Sequence, residues 1–296
     1  MTSVAFFGAV ELGLIYGLVA LGVFLSFRVL NFPDLTVDGS FPLGAAVCAA
    51  LIVAGADPYL ATFAGAGAGA LAGALTAYLN VRLKILHLLA GILVMVGLYS
   101  INLRVMGAPN VPLIGTHTVL SDIESAGLEP KYALPLLFLG IAAVAAALLT
   151  WFLSTETGLA MRATGENPRM SSANGINTGW LTIVGLAISN ALVGLCGALF
   201  AQSQGSSDAA MGSGMIVIGL ASVIIGENII SPRRMVLAVI GAIAGSVLYR
   251  LVIGVALSGN VIGLQAQDLN LITAVMVGVA LVLPRLRATL RRKSAA

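Results

Sequence analysis

Charge is what this chain has least of. Only 9% of its 296 residues are Asp, Glu, Lys or Arg, against 59% apolar ones, and the mean hydropathy is +1.03. A water-soluble domain cannot be closed with so little charge, so lipid is the solvent for most of the chain. Cysteine is scarce too. Cys48 and Cys196 each sit inside an apolar run, which argues against a disulfide, and no metal-ligand cluster accompanies them. No G-x-x-x-x-G-K-S/T stretch occurs, so the chain does not hold ATP in a P-loop. A cleavable signal is not expected either. The N-terminus lacks a basic stretch, and Glu11 interrupts the first apolar run, which reads as a retained span. The net charge of +3 does not point to nucleic acid, because its location accounts for it.

What is present is a series of apolar runs. They lie near 5–27, 36–54, 59–81, 85–106, 132–153, 179–202, 212–230, 235–255 and 269–284, most of them close to the ~20 residues a span needs. The expectation is an all-α polytopic membrane protein of about eight to nine spans, one transmembrane domain over residues 1–296. If the connections alternate sides, one side receives Arg28, Arg82, Lys84, Arg162, Arg169, Arg233, Arg234, Arg285, Arg287, Arg291, Arg292 and Lys293. The other receives only Arg104, Lys131 and Arg250. Twelve against three sets the first side in the cytosol, with the C-terminus inside and the N-terminus outside. The basic tail can also attract anionic lipid.

The second run is broken at its start. Asn31, Phe32, Pro33, Asp34, Leu35, Thr36, Val37, Asp38, Gly39, Ser40, Phe41 and Pro42 put two prolines and two acids where a span should begin. Ser40 reads as a helix cap with Pro42 just inside, giving a helix over 41–53. That helix is about 20 Å long, short of ~30 Å of hydrocarbon. Residues 31–40 would then cross as irregular backbone, which lipid does not tolerate but protein or a water-filled cavity does. Asn31, Phe32, Asp34, Thr36, Asp38 and Ser40 are therefore candidates for a translocation path. The plainer alternative is a cytosolic loop with both acids solvated.

Other runs carry packing and polar signals. Gly65, Gly69 and Gly73 recur every four residues, as do Gly241 and Gly245, the small-residue spacing that lets helix backbones approach. His87, beside Lys84, reads as interfacial rather than as a proton relay. Residues 107–131 form the longest outer connection, and Ser121–Glu124 has capping-box form, suggesting a short helix where a binding protein could land; an outer loop with no partner is the alternative. Asn190 lies deep in the sixth run and joins the path candidates. The glycines of the seventh run suggest close packing or a second break, and Glu227 at its end can pair with Arg233 or Arg234.

The longest polar interruption is 155–177, TETGLAMRATGENPRMSSANGIN. Thr155 can cap one short helix that stops at Gly165. Asn167 caps a second, with Pro168 first inside and Gly175 as the left-handed stop. This second helix, Pro168 to Asn174, is too short to persist alone in water, so it needs a partner surface. A plain linking loop is the alternative.

That interruption resembles the cytosolic coupling loop of ABC importer permeases of the branched-chain amino acid and ribose class. The stretch GLIYGLVALGVFLSFRVLNFPDLTVDGSFPLGAA, together with ASVIIGE at 221–227, is most similar to the branch of tryptophan/tyrosine-type importer permeases. The resemblance implies a permease that is not itself an enzyme and binds no cofactor, ATP and Mg²⁺ lying on separate ATPase subunits. It also implies an extracytoplasmic binding protein or lipoprotein, a second permease copy, and location in the bacterial inner membrane. Glu166, Asn167, Pro168, Arg169, Met170, Ser171 and Gly175 would then couple to the ATPase. The expected solute is an amino acid, with an aromatic one as first candidate; branched-chain amino acids and nucleosides or purines are rivals, and a stand-alone secondary transporter is the competing class.

Overall fold

The computed structural model describes residues 3–121, 129–230 and 234–258, with 273, 275 and 278. The first span, α1 (Ser3–Val23), runs on as a π-helical turn over Phe24–Val29, so 27 residues form one apolar rod. After an irregular stretch come α2 (Val37–Val53), α3 (Pro58–Leu83) and α4 (His87–Met106). A short strand β1 (Asn110–Pro112) precedes α5 (Pro130–Ser154). Two small helices follow, α6 (Glu156–Glu166) and α7 (Pro168–Ala173). The rest is α8 (Thr178–Gln204), strand β2 (Ser206–Asp208), α9 (Met215–Ile229) and α10 (Met235–Ser258).

Six of these rods are long and apolar enough to cross a membrane, while α2 and α9 are shorter, with 17 and 15 residues. At ~1.5 Å per residue they reach only about 25 and 22 Å, less than the ~30 Å core. These eight helices match the first eight apolar runs; the ninth run apart from 273, 275 and 278, the basic tail and the Asp122–Glu124 part of the expected outer helix lie outside the described residues.

In lipid, apolar burial does not drive helices together, so close packing must. The Gly65, Gly69 and Gly73 stripe does this inside the chain. A methyl added at Gly65 would meet the Gly44 carbonyl at 2.6 Å; at Gly69 and Gly73 it would strike the Asn190 and Leu186 carbonyls of α8. Gly67, between them, faces open space. Gly241 and Gly245 seat α10 on Gly226 and Ser222 of α9 in the same way. On the other side of α8, Tyr16 stacks on Phe200 at 5.6 Å between centroids, with Phe41 edging both.

Contacts at the helix ends define two faces. On one, Arg28 pairs with Glu227 at 2.5 Å, Gly165 abuts Val29, and Gly179 abuts Val81. Glu227 thus reaches across to the end of the first span rather than to Arg234 nearby in sequence. On the other face β1 and β2 pair antiparallel, Asn110 opposite Asp208. Gln202 fastens that face: its amide donates to Thr62 at 2.8 Å and accepts from the Val119 N–H at 3.0 Å.

Candidate functional site

The break before α2 is ordered by its own acids. Asn31 takes a left-handed turn at φ 52°, and Phe32 is buried against the His87 ring at 4.4 Å. Asp34 is fully buried. One carboxylate oxygen accepts from the Thr36 N–H at 2.9 Å and the other from the Asn190 amide at 2.6 Å. The Thr36 hydroxyl meets that of Thr76 on α3 at 2.6 Å. Asp34, Thr36 and Asn190 thus form one enclosed network joining the break to α3 and α8. It carries irregular backbone through the bundle interior, where only protein partners can satisfy it.

The helix then begins earlier than its sequence suggests. It starts at Val37, so Ser40 is a buried interior residue rather than a cap, and its hydroxyl has no partner among the described residues. Pro42 sits inside α2 and removes the bond to the Asp38 carbonyl. That carbonyl and the proline ring instead face Gly212, where a side chain would collide with both. The compensation is tertiary, which is why a local reading of Ser40 and Pro42 misplaces the start.

Asp38, in the first turn of α2, reaches the other broken span. Its carboxylate accepts from the Ile216 N–H at 2.8 Å and the Gly214 N–H at 3.2 Å. Gly214 has φ 84° and no side chain to cap with, so Asp38 supplies the cap of α9 from another helix. The alternative of two solvated acids does not hold. Between α2, α4 and the start of α9 lies a cavity of about 500 Å³, bordered by Asp38, Met95, Tyr99, Asn102 and Ser213 among others. Asn102 had no sequence signal beyond being an amide in an apolar run.

The other candidate cluster is on the opposite chain segment. Thr155 accepts from the Gly158 N–H at 3.3 Å and begins α6. The helix does not stop at Gly165. It continues to Glu166, because Gly165 is needed for contact with the Val29 carbonyl rather than for a turn. Asn167 accepts from the Met170 N–H at 3.0 Å with Pro168 first in α7, and Gly175 takes φ 82°. The helix ends at Ala173, one residue early. Glu166, Asn167, Pro168, Arg169 and Met170 are exposed, with Met170 at 55%, whereas Ser171 is buried at 1% and faces the chain itself. Asn190 and the 155–177 segment do not meet; the first belongs to the interior network, the second to the Arg28–Glu227 face.

Six long and two shorter apolar helices, the two short ones joined through Asp38, make a multi-pass membrane bundle with an exposed, capped helix at one end. The chain belongs to the family described as branched-chain amino acid transport system permease component, whose model matches residues 5–283. It is the permease subunit of an ABC importer, a component that is not catalytic and works with ATPase partners. It is 38% identical to the tyrosine transport system permease protein of Clostridioides difficile over 95% of this chain and 92% of that one. It is 31% identical to an uncharacterized protein of Rickettsia prowazekii over 92% of this chain and 95% of that one. Over 55% of this chain it is 31% identical to a nucleoside ABC transporter permease of Lactococcus lactis, covering 47% of that protein. No solved structure matches.

Proposed function

We propose that this permease moves an amino acid, with an aromatic one as first candidate, from an extracytoplasmic binding protein into the cytosol by alternating access. The observation that carries the solute is the likeness, over nearly its whole length, to a permease named for tyrosine. Branched-chain amino acids and nucleosides remain the rivals within the family. Transport proceeds through a single domain spanning the chain, assembled as a pair of copies, with ATP and Mg²⁺ on the ATPase and no cofactor here.

The coupling element is Glu166 to Met170 of the α6–α7 corner. Its caps, its exposure and the outward Met170 support docking in a partner cleft. Two turns of helix that bury only Ser171 need such a surface. The Lys/Arg asymmetry favours this face as cytosolic, with the C-terminus alongside. The path runs where α2 and α9 stop short. A partner that pulls on the α6 corner acts through Gly165 on Val29, next to the break. Ligand then shifts the two states only by differential affinity.

The test is uptake by the complex reconstituted with its ATPase and binding protein. ATP-dependent accumulation of radiolabelled L-tyrosine is expected; accumulation of a nucleoside in preference to every amino acid tried would replace the solute.

A further inference from the structure

Among the described residues that border the α2–α4–α9 cavity, one buried side-chain atom, Asn102 Oδ1, has no hydrogen-bond partner. The Asn102 side chain is fully buried, and its amide donates only a long bond of 3.5 Å to the Gly39 carbonyl. Its Oδ1 has no partner among the described residues, although Asn102 borders the cavity. A buried acceptor without a donor is costly. A position that tolerates one has a use for it, or a leucine would serve better. The same cavity holds the Asp38 carboxylate. The carboxylate accepts backbone N–H groups from the start of α9, Gly214 and Ile216 among them, and its two oxygens offer about four acceptor positions in all. Asn102 and Asp38 both border the cavity, and both carry acceptor oxygens. Asp38 also carries the charge, moderated by the positive end of α9.

The α4 part of the wall includes Met95, Val96 and Tyr99, with Val96 and Tyr99 more than half exposed in the single chain. At about 500 Å³ the cavity falls in the ~300–1,000 Å³ range of small-molecule sites. A ligand that satisfies it offers several N–H donors at one end, positive charge, and an apolar or aromatic body at the other.

We propose that Asn102 and Asp38 form the ammonium subsite of the permease, Met95, Val96 and Tyr99 holding the solute's apolar body. This rests on the amino-acid reading above and deepens it. Asp34 takes no part, since it is fully buried inside the bundle and does not border this cavity. The subsite binds by differential satisfaction: the ammonium answers an otherwise orphaned acceptor, and a solute lacking it leaves Asn102 as it was.

The exposed Ser213 borders the same cavity, while Cys48 and Cys196 are buried. The complex with Ser213→Cys, in nanodiscs, is labelled with N-ethylmaleimide in the presence of L-tyrosine, tyramine or 3-(4-hydroxyphenyl)propionate. L-Tyrosine and tyramine are expected to slow labelling; the acid without the amine is not. Adding Asn102→Leu should weaken that protection roughly tenfold, the scale of a lost bond to a charged group. It should leave thermal stability equal or higher, because the leucine removes a buried unpaired polar atom. A merely structural Asn102 would instead lower stability along with uptake. Equal protection by the amine-free acid, no protection by L-tyrosine or tyramine, or full protection after Asn102→Leu overturns the proposal. If tyramine protects and the wild-type complex takes up no amino acid, the amino-acid reading fails while the subsite stands. If amino-acid uptake proceeds and Asn102→Leu changes neither protection nor uptake, the subsite alone fails.

Discussion

The Asp38 carboxylate lies 2.8 Å from the backbone N–H of Ile216, 178 residues away in sequence. Through it, the first turn of one incomplete span closes the first turn of another. Neither α2 nor α9 is long enough to cross lipid, and their starts are held together by a group that also borders the cavity. A ligand at Asp38 therefore bears on the position of both helices at once.

Substitution of Asp38 separates capping from charge. Asp38→Ala leaves two N–H groups of α9 without an acceptor and should cost about 1–2 kcal/mol of stability. Asp38→Asn keeps one acceptor oxygen, so the complex should assemble with a smaller loss and still transport poorly. Thermal unfolding and uptake, measured on both variants, check the split. Wild-type uptake by Asp38→Asn would leave the carboxylate as a cap only.

Asp34 should behave differently, since its partners are all protein. In Asp34→Asn the new amide meets the Asn190 amide, whose Oδ1 is unpartnered and can turn to accept from it. Stability should fall by only about 1 kcal/mol. Asn190→Leu removes the donor and strands a buried carboxylate oxygen, which should cost about 3 kcal/mol or more. The yield of folded protein in nanodiscs and its unfolding temperature distinguish the two. A milder effect for Asn190→Leu than for Asp34→Asn would contradict the network described.

The glycine stripe of α3 gives a packing test with an internal control. Gly69→Ala pushes a methyl into the Asn190 carbonyl, and separation of α3 from α8 should cost about 1–3 kcal/mol. Gly67→Ala meets open space on the same helix and should be neutral or slightly stabilising. Similar unfolding temperatures for the two would mean that α3 and α8 are not held by this face.

Accessibility tests orientation. Ser171 is unsuitable as a probe because it is buried, but Ser172 beside it is exposed. Ser172→Cys should resist an impermeant thiol reagent applied to intact cells and react once the membrane is opened. Labelling from outside would reverse the topology inferred from the Lys/Arg count.

Much of this was legible in the residues, and the reasons are local. Asn167, Pro168 and Gly175 act within their own turn of backbone, so the cap, first position and stop of α7 could be read directly. The Gly65, Gly69 and Gly73 spacing named a packing face, though not that its partner is α8. What was misread depends on distant chain. Ser40 and Pro42 look like a helix start, but Gly212 accommodates the interior proline and moves the start to Val37. Gly165 looks like a stop, but its space is taken by Val29. The three-residue strands β1 and β2 carry no period to detect. Asn102 became a site residue only when α4 met α2 and α9.

The central claim is that this chain is a permease driven through the α6–α7 corner by a separate ATPase. The most direct measurement compares wild type with the Glu166→Ala, Arg169→Ala double variant, both reconstituted with ATPase and binding protein. Solute-stimulated ATP hydrolysis and ATP-dependent L-tyrosine uptake are recorded together. The account predicts that wild type shows both, that the permease without the ATPase shows neither, and that the double variant inserts normally but loses about tenfold in each, as an interface anchor would. Uptake by the permease alone, driven by an ion gradient and indifferent to ATP, would contradict it.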